Sequence, residues 1–173
     1  EFCEAEYFLA YKDGRLAGRV AAIINHRAND RWAQSNVRFG WLDFIDDIEV
    51  SRALLDAVAD YGRSKGMTAV VGPLGFTDMD PEGMLTWGFD KLGTMATIYN
   101  YEYYPRHIEQ MGGWEKDNDY VEYFLPMPDT VPEKYAKLAS MIEQRYNLRV
   151  KKLNRKDVDN GYGRRLFEII NET

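Results

Sequence analysis

Three clusters hold the side chains best suited to chemistry. His107 lies in Tyr103-Tyr104-Pro105-Arg106-His107. An imidazole takes or gives a proton near neutral pH, so His107 is the first candidate for a general base or acid. A histidine on a solvated helix surface is the other reading of the same residue. Asp46, Asp47 and Glu49 gather three carboxylates within four residues. Adjacent carboxylates favour positive charge and suit a cation or the amine of a substrate; acids at the start of a helix equally well cap its unpaired N–H groups. Asp78-x-Asp80-x-Glu82-Gly83 alternates oxygen ligands ahead of a glycine, as a calcium loop does. That pattern then breaks, because Phe89 stands where a bidentate Glu belongs and Pro81 intrudes.

No metal is expected. His26 and His107 are the only histidines and Cys3 the only cysteine, and none stands at ligand spacing from another. The absence of a Gly-x-Ser-x-Gly elbow, a Walker loop and a dinucleotide fingerprint removes support for hydrolase, kinase and dehydrogenase chemistry. The segment Gly72 to Gly93 is rich in Gly, Pro and Asp and too long for a simple connection. It reads as a substrate-facing lid with Trp87 and Phe89 as apolar contacts, or as an ordinary surface loop.

The elements that must position these residues follow from periodicity and turn chemistry. Tyr7 to Tyr11 and Leu16 to Ile24 read as a hairpin joined at Asp13-Gly14, a pair that tolerates the positive φ of a tight turn. A polar connection from Asn25 to Asn36 precedes a third strand, Val37 to Ile45. A helix from Ile48 to Lys65 carries Val50, Leu54, Val58 and Tyr61 on one stripe, with Asp46 or Asp47 as its cap and Gly66 as its stop. Thr68 to Val71 reads as a short buried strand with a parallel neighbour, which makes strand, helix and strand a crossover unit. Thr94 to Tyr99 and Tyr120 to Leu125 read as further strands and Pro105 to Met111 as a short helix. Pro126-Met127-Pro128-Asp129 reads as a linker. Beyond it come a helix at 132–146, a strand at 148–153 and a helix at 164–171.

The chain has 173 residues, 45% hydrophobic and 29% charged, with a net charge of -6. That is an ordinary globular balance, and the acidic surplus leaves no broad footprint for nucleic acid or an anionic membrane. One cysteine fits a reducing, cytoplasmic compartment. No run reaches the roughly 18 apolar residues of a membrane span. Both ends are abrupt, so the chain reads as a segment of a larger protein.

The order of elements, with Arg52-Ala53-Leu54-Leu55-Asp56-Ala57 on the central helix, Met67 to Val71 after it and the turn Gly112-Gly113-Trp114, resembles the GNAT acyltransferase superfamily over about residues 6 to 126. Gly72-Pro73-Leu74-Gly75-Phe76, Glu82-Gly83-Met84-Leu85 and Tyr103-Tyr104 resemble the central loop of bacterial two-domain GNAT-like proteins. The resemblance implies an α+β fold: a mixed, mostly antiparallel sheet with a central crossover helix and flanking helices. It implies a GNAT-like domain over 1–128, with its first elements outside this segment, and a helix-strand-helix extension or the start of a second domain over 129–173.

It further implies N-acyl transfer from acyl-CoA or an aminoacyl donor to an amine, the alternative being a non-catalytic module that binds a ligand or a partner domain. The implied partners are a small-molecule amine or a second domain of the same protein. His107, Tyr101 and Tyr104 are the implied proton-handling residues, and Trp41, Leu42, Phe44, Asp47, Val50 and Ser51 the implied cofactor positions. In the family a glycine-rich loop at a helix N-terminus holds the coenzyme pyrophosphate. Asp46-Asp47-Ile48-Glu49-Val50-Ser51 falls at that loop, has no glycine, and sets carboxylates where a phosphate would lie.

Overall fold

The computed structural model describes residues 2–95 and 97–172. The chain divides into two compact units, Glu1–Asn118 and Asp119–Thr173, so the 126–129 linker segment lies inside the second. The first unit is a mixed α+β domain. Its sheet contains β1 (Cys3–Lys12), β2 (Arg15–Asn25), β3 (Asn36–Phe44) and β4 (Ala69–Val71), in that spatial order. The first three strands are antiparallel, and β4 runs parallel to β3.

Asp13 and Gly14 both take positive φ, 51° and 75°, which closes the β1–β2 hairpin in the hand that matches strand twist. The strands extend beyond the expected ends because pairing continues from Cys3↔Asn25 to Lys12↔Arg15. After β2 the chain forms α1 (His26–Trp32), where the sequence pattern suggested only a connection. This helix buries no residue, so it has no apolar stripe to reveal it. The Asn25 side chain caps it by accepting from Ala28 N, and Ala33 closes it at φ 50°.

The crossover helix α2 (Ile48–Ser64) lays Val50, Leu54, Leu55 and Val58 against Val20, Ala22, Ile24, Val37 and Phe39 of the sheet. Leu54 and Val58 are sealed from solvent and anchor this core. Gly62 lets the helix close on β3, since a Cβ there would stand 2.4 Å from Val37 Cγ1. On the other face the chain after β4 packs along the sheet. Leu74 N donates to Phe39 O at 2.9 Å, Arg38 Nη1 to Gly75 O at 3.0 Å, and Asn25 Nδ2 to Phe76 O at 2.8 Å.

The sheet ends at β4, which is a half-exposed edge instead of the buried strand expected at 68–71. Thr94 to Tyr99 forms no strand among its described residues; a turn held by Thr97 Oγ1, which accepts from Thr94 N at 2.9 Å, takes its place. Tyr120 to Leu125 is also not a strand. Its side chains stay exposed, and without a ladder partner its backbone gains nothing from extension. The last helix of this unit is α3 (Tyr103–Met111), which begins two residues before Pro105.

In the second unit α4 (Glu133–Tyr146) is followed by α5 (Arg155–Asp157), a wide turn at Val158–Tyr162 and α6 (Gly163–Glu172). Residues 148–153, expected as a strand, have no regular structure. None of these helices buries a residue. Among the described residues no helix is long and apolar enough to cross a membrane.

One close approach tests the packing of the post-β4 segment. A Cβ on Gly40 would lie 2.5 Å from the Leu74 carbonyl oxygen. Gly40→Ala must push backbone off the sheet and is expected to lower unfolding stability by about 1–3 kcal/mol, read from urea denaturation.

Candidate functional site

The site is built where β3 outruns its parallel partner. β4 pairs only with Asn36, Val37 and Arg38, yet β3 continues to Phe44. Within that extension Trp41 takes a left-handed φ of 46°, and the register against β2 shifts between Arg19 and Ala21. A non-glycine residue in that conformation costs roughly 1–2 kcal/mol, so the surrounding packing must hold the bulge. Among the described residues Gly40 to Asp43 therefore has no strand partner on the side away from β2.

α3 closes the far end of this gap. Tyr103 Oη donates to the Phe44 carbonyl at 2.6 Å, while the Phe44 N–H donates to Tyr104 Oη at 3.4 Å. Tyr104 Oη in turn donates to Asp43 Oδ1 at 3.0 Å. The Tyr104 ring stacks on Phe44 with centroids 4.2 Å apart. Burial pushes the Tyr104 phenol well up from its ordinary value; the Phe44 N–H opposes this and the Asp43 carboxylate adds to it. Burial, with Asp46 next in effect, also pushes Tyr103 up. Both hydroxyls stay protonated and serve as donors.

One turn further on, His107 is only 4% exposed and lies against Phe44 at 5.4 Å between ring centroids. Its Nε2 stands 2.9 Å from Asp46 Oδ1 and its Nδ1 2.9 Å from Ser51 Oγ. A carboxylate only accepts, so Nε2 carries a proton and donates to Asp46. In the neutral ring Nδ1 accepts from the Ser51 hydroxyl. In the imidazolium Nδ1 donates to Ser51 Oγ, and the hydroxyl turns to the Ile48 carbonyl 3.2 Å away. The pair is hydrogen-bonded in either state. Arg106 Nη2 completes the chain by donating to both oxygens of Asp46, at 3.2 and 3.3 Å.

The other two acids of the cluster are equally engaged. Asp47 caps α2 by accepting from Glu49 N at 3.0 Å and pairs with Lys12, which also reaches Glu49 at 3.1 Å. Lys12 holds the Asp47 carboxyl below the usual range, and Asp47 then Glu49 hold the ammonium of Lys12 up. Among the described residues no cluster of His, Cys, Asp and Glu could hold a metal ion. In the loop, Asp80 Oδ2 accepts from Thr77 N at 2.9 Å, a local turn and not a ligand shell. Burial, followed by Asp78, pushes Glu82 up.

Two cavities flank the strand end. The first, about 470 Å³, is lined by Phe89, Asp90, Tyr99, Tyr101, Glu102, Tyr103 and Arg106. The second, about 370 Å³, is apolar and bounded by Tyr7, Leu9, Ala21, Trp41 and Phe76. Of the residues expected from sequence, Phe44, Ser51, Tyr104 and His107 come together in one buried cluster, and Tyr101 lines the first cavity. Trp41 stands in the second cavity against Phe76, and Leu42 and Val50 pack into the core. Asp47 sits apart, on Lys12. The sequence marks Asp46 through the acidic cluster and Phe89 as an apolar lid contact, but it carries no signal for the pairing of Asp46 with Arg106 and His107 or for Glu102 beside the first cavity.

The chain is 28% identical over 143 residues to Protein YghO of Escherichia coli, an alignment covering 82% of this chain and 36% of that protein. It is 28% identical over 134 residues to a protein named bacterial ceramide synthase from Caulobacter vibrioides, covering 77% of this chain and 35% of that one. The chain thus spans about a third of the length of both relatives. No family model matches, and no solved structure does.

Two substitutions test the buried cluster. Ser51→Ala leaves His107 Nδ1 without its partner and is expected to cost about 1–3 kcal/mol in urea unfolding. Tyr104 has a raised folded value, so its share of stability is present below the unfolded phenol value of about 10 and is lost as pH rises beyond it. Tyr104→Phe is expected to be less stable at pH 8 and to lose stability less steeply than wild type above about pH 10.

Proposed function

We propose that this chain is part of a GNAT-like N-acyltransferase that joins an acyl group to an amine. The observation that carries this reading is the gap in β3: among the described residues Gly40 to Asp43 has no strand partner on one side, between the Leu74–Phe39 hydrogen bond and the two tyrosines on Phe44. Backbone amides in such a gap can hold an acyl carbonyl oxygen as charge develops on it. The ceramide synthase name of one relative supports the same chemistry, since a ceramide is the amide of a fatty acid and an amino alcohol.

The N-terminus of α2 does not fit a coenzyme pyrophosphate. The Asp47 carboxylate already occupies the Glu49 N–H, and Asp46 and Glu49 flank it. No step is therefore assigned to that group, and the donor is an acyl thioester or ester. The acceptor nitrogen attacks the carbonyl carbon, the C–N bond forms, and the bond to the leaving sulfur or oxygen breaks. The nitrogen's proton passes to Asp46, which is half-exposed and held by Arg106 and His107. A proton from a cavity tyrosine, Tyr101, goes to the leaving atom. His107 is a positioning residue in this scheme, because both its ring nitrogens are bonded and it is buried.

The self-capped α2 also favours a second reading, a GNAT-like module that binds a ligand or a partner domain without catalysis. The whole protein, incubated with a long-chain acyl thioester and an alkylamine, separates the two by mass spectrometry of the amide. Amide formation is expected, with kcat lowered about 10²-fold or more by Asp46→Asn. His107→Gln is expected to lower kcat while leaving KM nearly unchanged, since His107 positions Asp46 and does not line the cavity. Absence of amide with every thioester and ester donor supports the non-catalytic module.

A further inference from the structure

We infer that the cavity between Phe89 and Arg106 is a cage for an organic ammonium ion. Four aromatic rings, Phe89, Tyr99, Tyr101 and Tyr103, line a space of about 470 Å³. Tyr101 and Tyr103 lie nearly parallel, at 11° with centroids 5.6 Å apart, and Tyr99 stands across Tyr101 at 76° and 6.3 Å. The stacked pair and the edge-on ring pack into one continuous aromatic wall, and ring faces carry the negative lobe that attracts a cation. Tyr99 and Tyr101 each remain 61% exposed, so they are not there to fill a core. Tyr103 is fixed by its 2.6 Å bond to the Phe44 carbonyl, which holds one wall in place.

Charge selects the occupant. Arg106 is at the wall, but its guanidinium is engaged with Asp46. Asp90 pairs with its neighbour Lys91 at 2.8 Å. Glu102 is the N-cap of α3, yet its side chain makes no cap hydrogen bond, and it is an exposed part of the cavity lining. The unspent charge is negative and the walls are aromatic. An anion is repelled by both, and a neutral alcohol uses neither the ring faces nor Glu102. An ammonium carried on a small or apolar body uses all of them.

The assignment rests on the acyl-transfer reading only for what the ammonium does there: it is the acceptor, delivered beside the Arg106–Asp46–His107 chain, where Asp46 takes one proton to free the lone pair and the second N–H proton, lost once the C–N bond has formed, replaces the one Tyr101 gives to the leaving atom. Binding itself is read without any acyl donor. Isothermal titration of the whole protein with n-hexylammonium chloride, 1-hexanol and sodium hexanoate compares cation, neutral and anion on one alkyl chain. The ammonium is expected to bind more tightly than either. Tyr101→Leu is expected to weaken it roughly 2- to 30-fold while Tyr101→Phe retains it, and Glu102→Gln to weaken it up to about 5-fold. Both positions are exposed, and far-ultraviolet circular dichroism confirms that the variants fold. Hexanol or hexanoate binding as tightly as the ammonium overturns the cage, and so does a Tyr101→Leu variant with unchanged affinity. A protein that forms amides without this preference loses the cage alone. One that prefers the ammonium but forms no amide keeps the cage and loses the transfer reading.

Discussion

The hydrogen bond between Ser51 and His107 is the constraint on which the site depends. Both groups are sealed from solvent, at 0% and 4% exposure, so neither can turn to water for a partner. A buried polar atom without a partner costs more than the bond returns when formed, which makes the pair a requirement and not a small gain. It ties the first turn of α2 to the middle of α3. That tie sets where Tyr103 and Tyr104 meet Phe44, and hence where the unpartnered stretch of β3 ends. It also presents Asp46, in the turn before α2, to the one ring nitrogen left over.

The same geometry divides labour between buried and exposed groups. His107, Ser51 and Tyr104 lie inside and fix positions; Asp46, Arg106 and Tyr101 lie at the surface and can meet a ligand. The tyrosine-rich stretch from Tyr99 to Tyr104 spans that divide. Tyr104 is buried beneath Phe44 and Tyr103 half-buried, while Tyr99 and Tyr101 reach solvent. One aromatic run thus both closes the core and walls a cavity.

The core was legible in sequence because its signals are local. The stripe Val50, Leu54 and Val58, an acidic cap at Asp46 or Asp47 and the Asp13-Gly14 turn each act within a few residues, and each stands in the structure, with Asp47 as the cap. α1 was not legible, since a helix that buries nothing leaves no periodic trace. Tyr120 to Leu125 shows the opposite failure: its residue types favour a strand, but strand formation needs a partner edge and the sheet stops at β4. His107 was recognisable by type alone. Its partners lie 56 and 61 positions away and meet it only through the crossover, so no spacing in the chain could disclose them.

The start of α2 meets its own need for an anion from within the chain. The end of any helix with unpaired N–H groups and a positive dipole attracts an anion. Here the anion is internal: the Asp47 carboxylate takes the Glu49 N–H, and the Asp47 carbonyl accepts from Val50 and Ser51. A phosphate arriving there would have to displace Asp47 and then lie beside Asp46 and Glu49. Each like charge opposes it, more weakly for the solvent-exposed Glu49, where water and salt screen the repulsion. Lys12 offsets part of this, but it is already shared between Asp47 and Glu49. Charge therefore favours cations at this end of the sheet, where Asp46, Asp47 and Glu49 stand, and at the cavity lining, where Glu102 stands. In that field a cationic group is attracted and a phosphate is opposed.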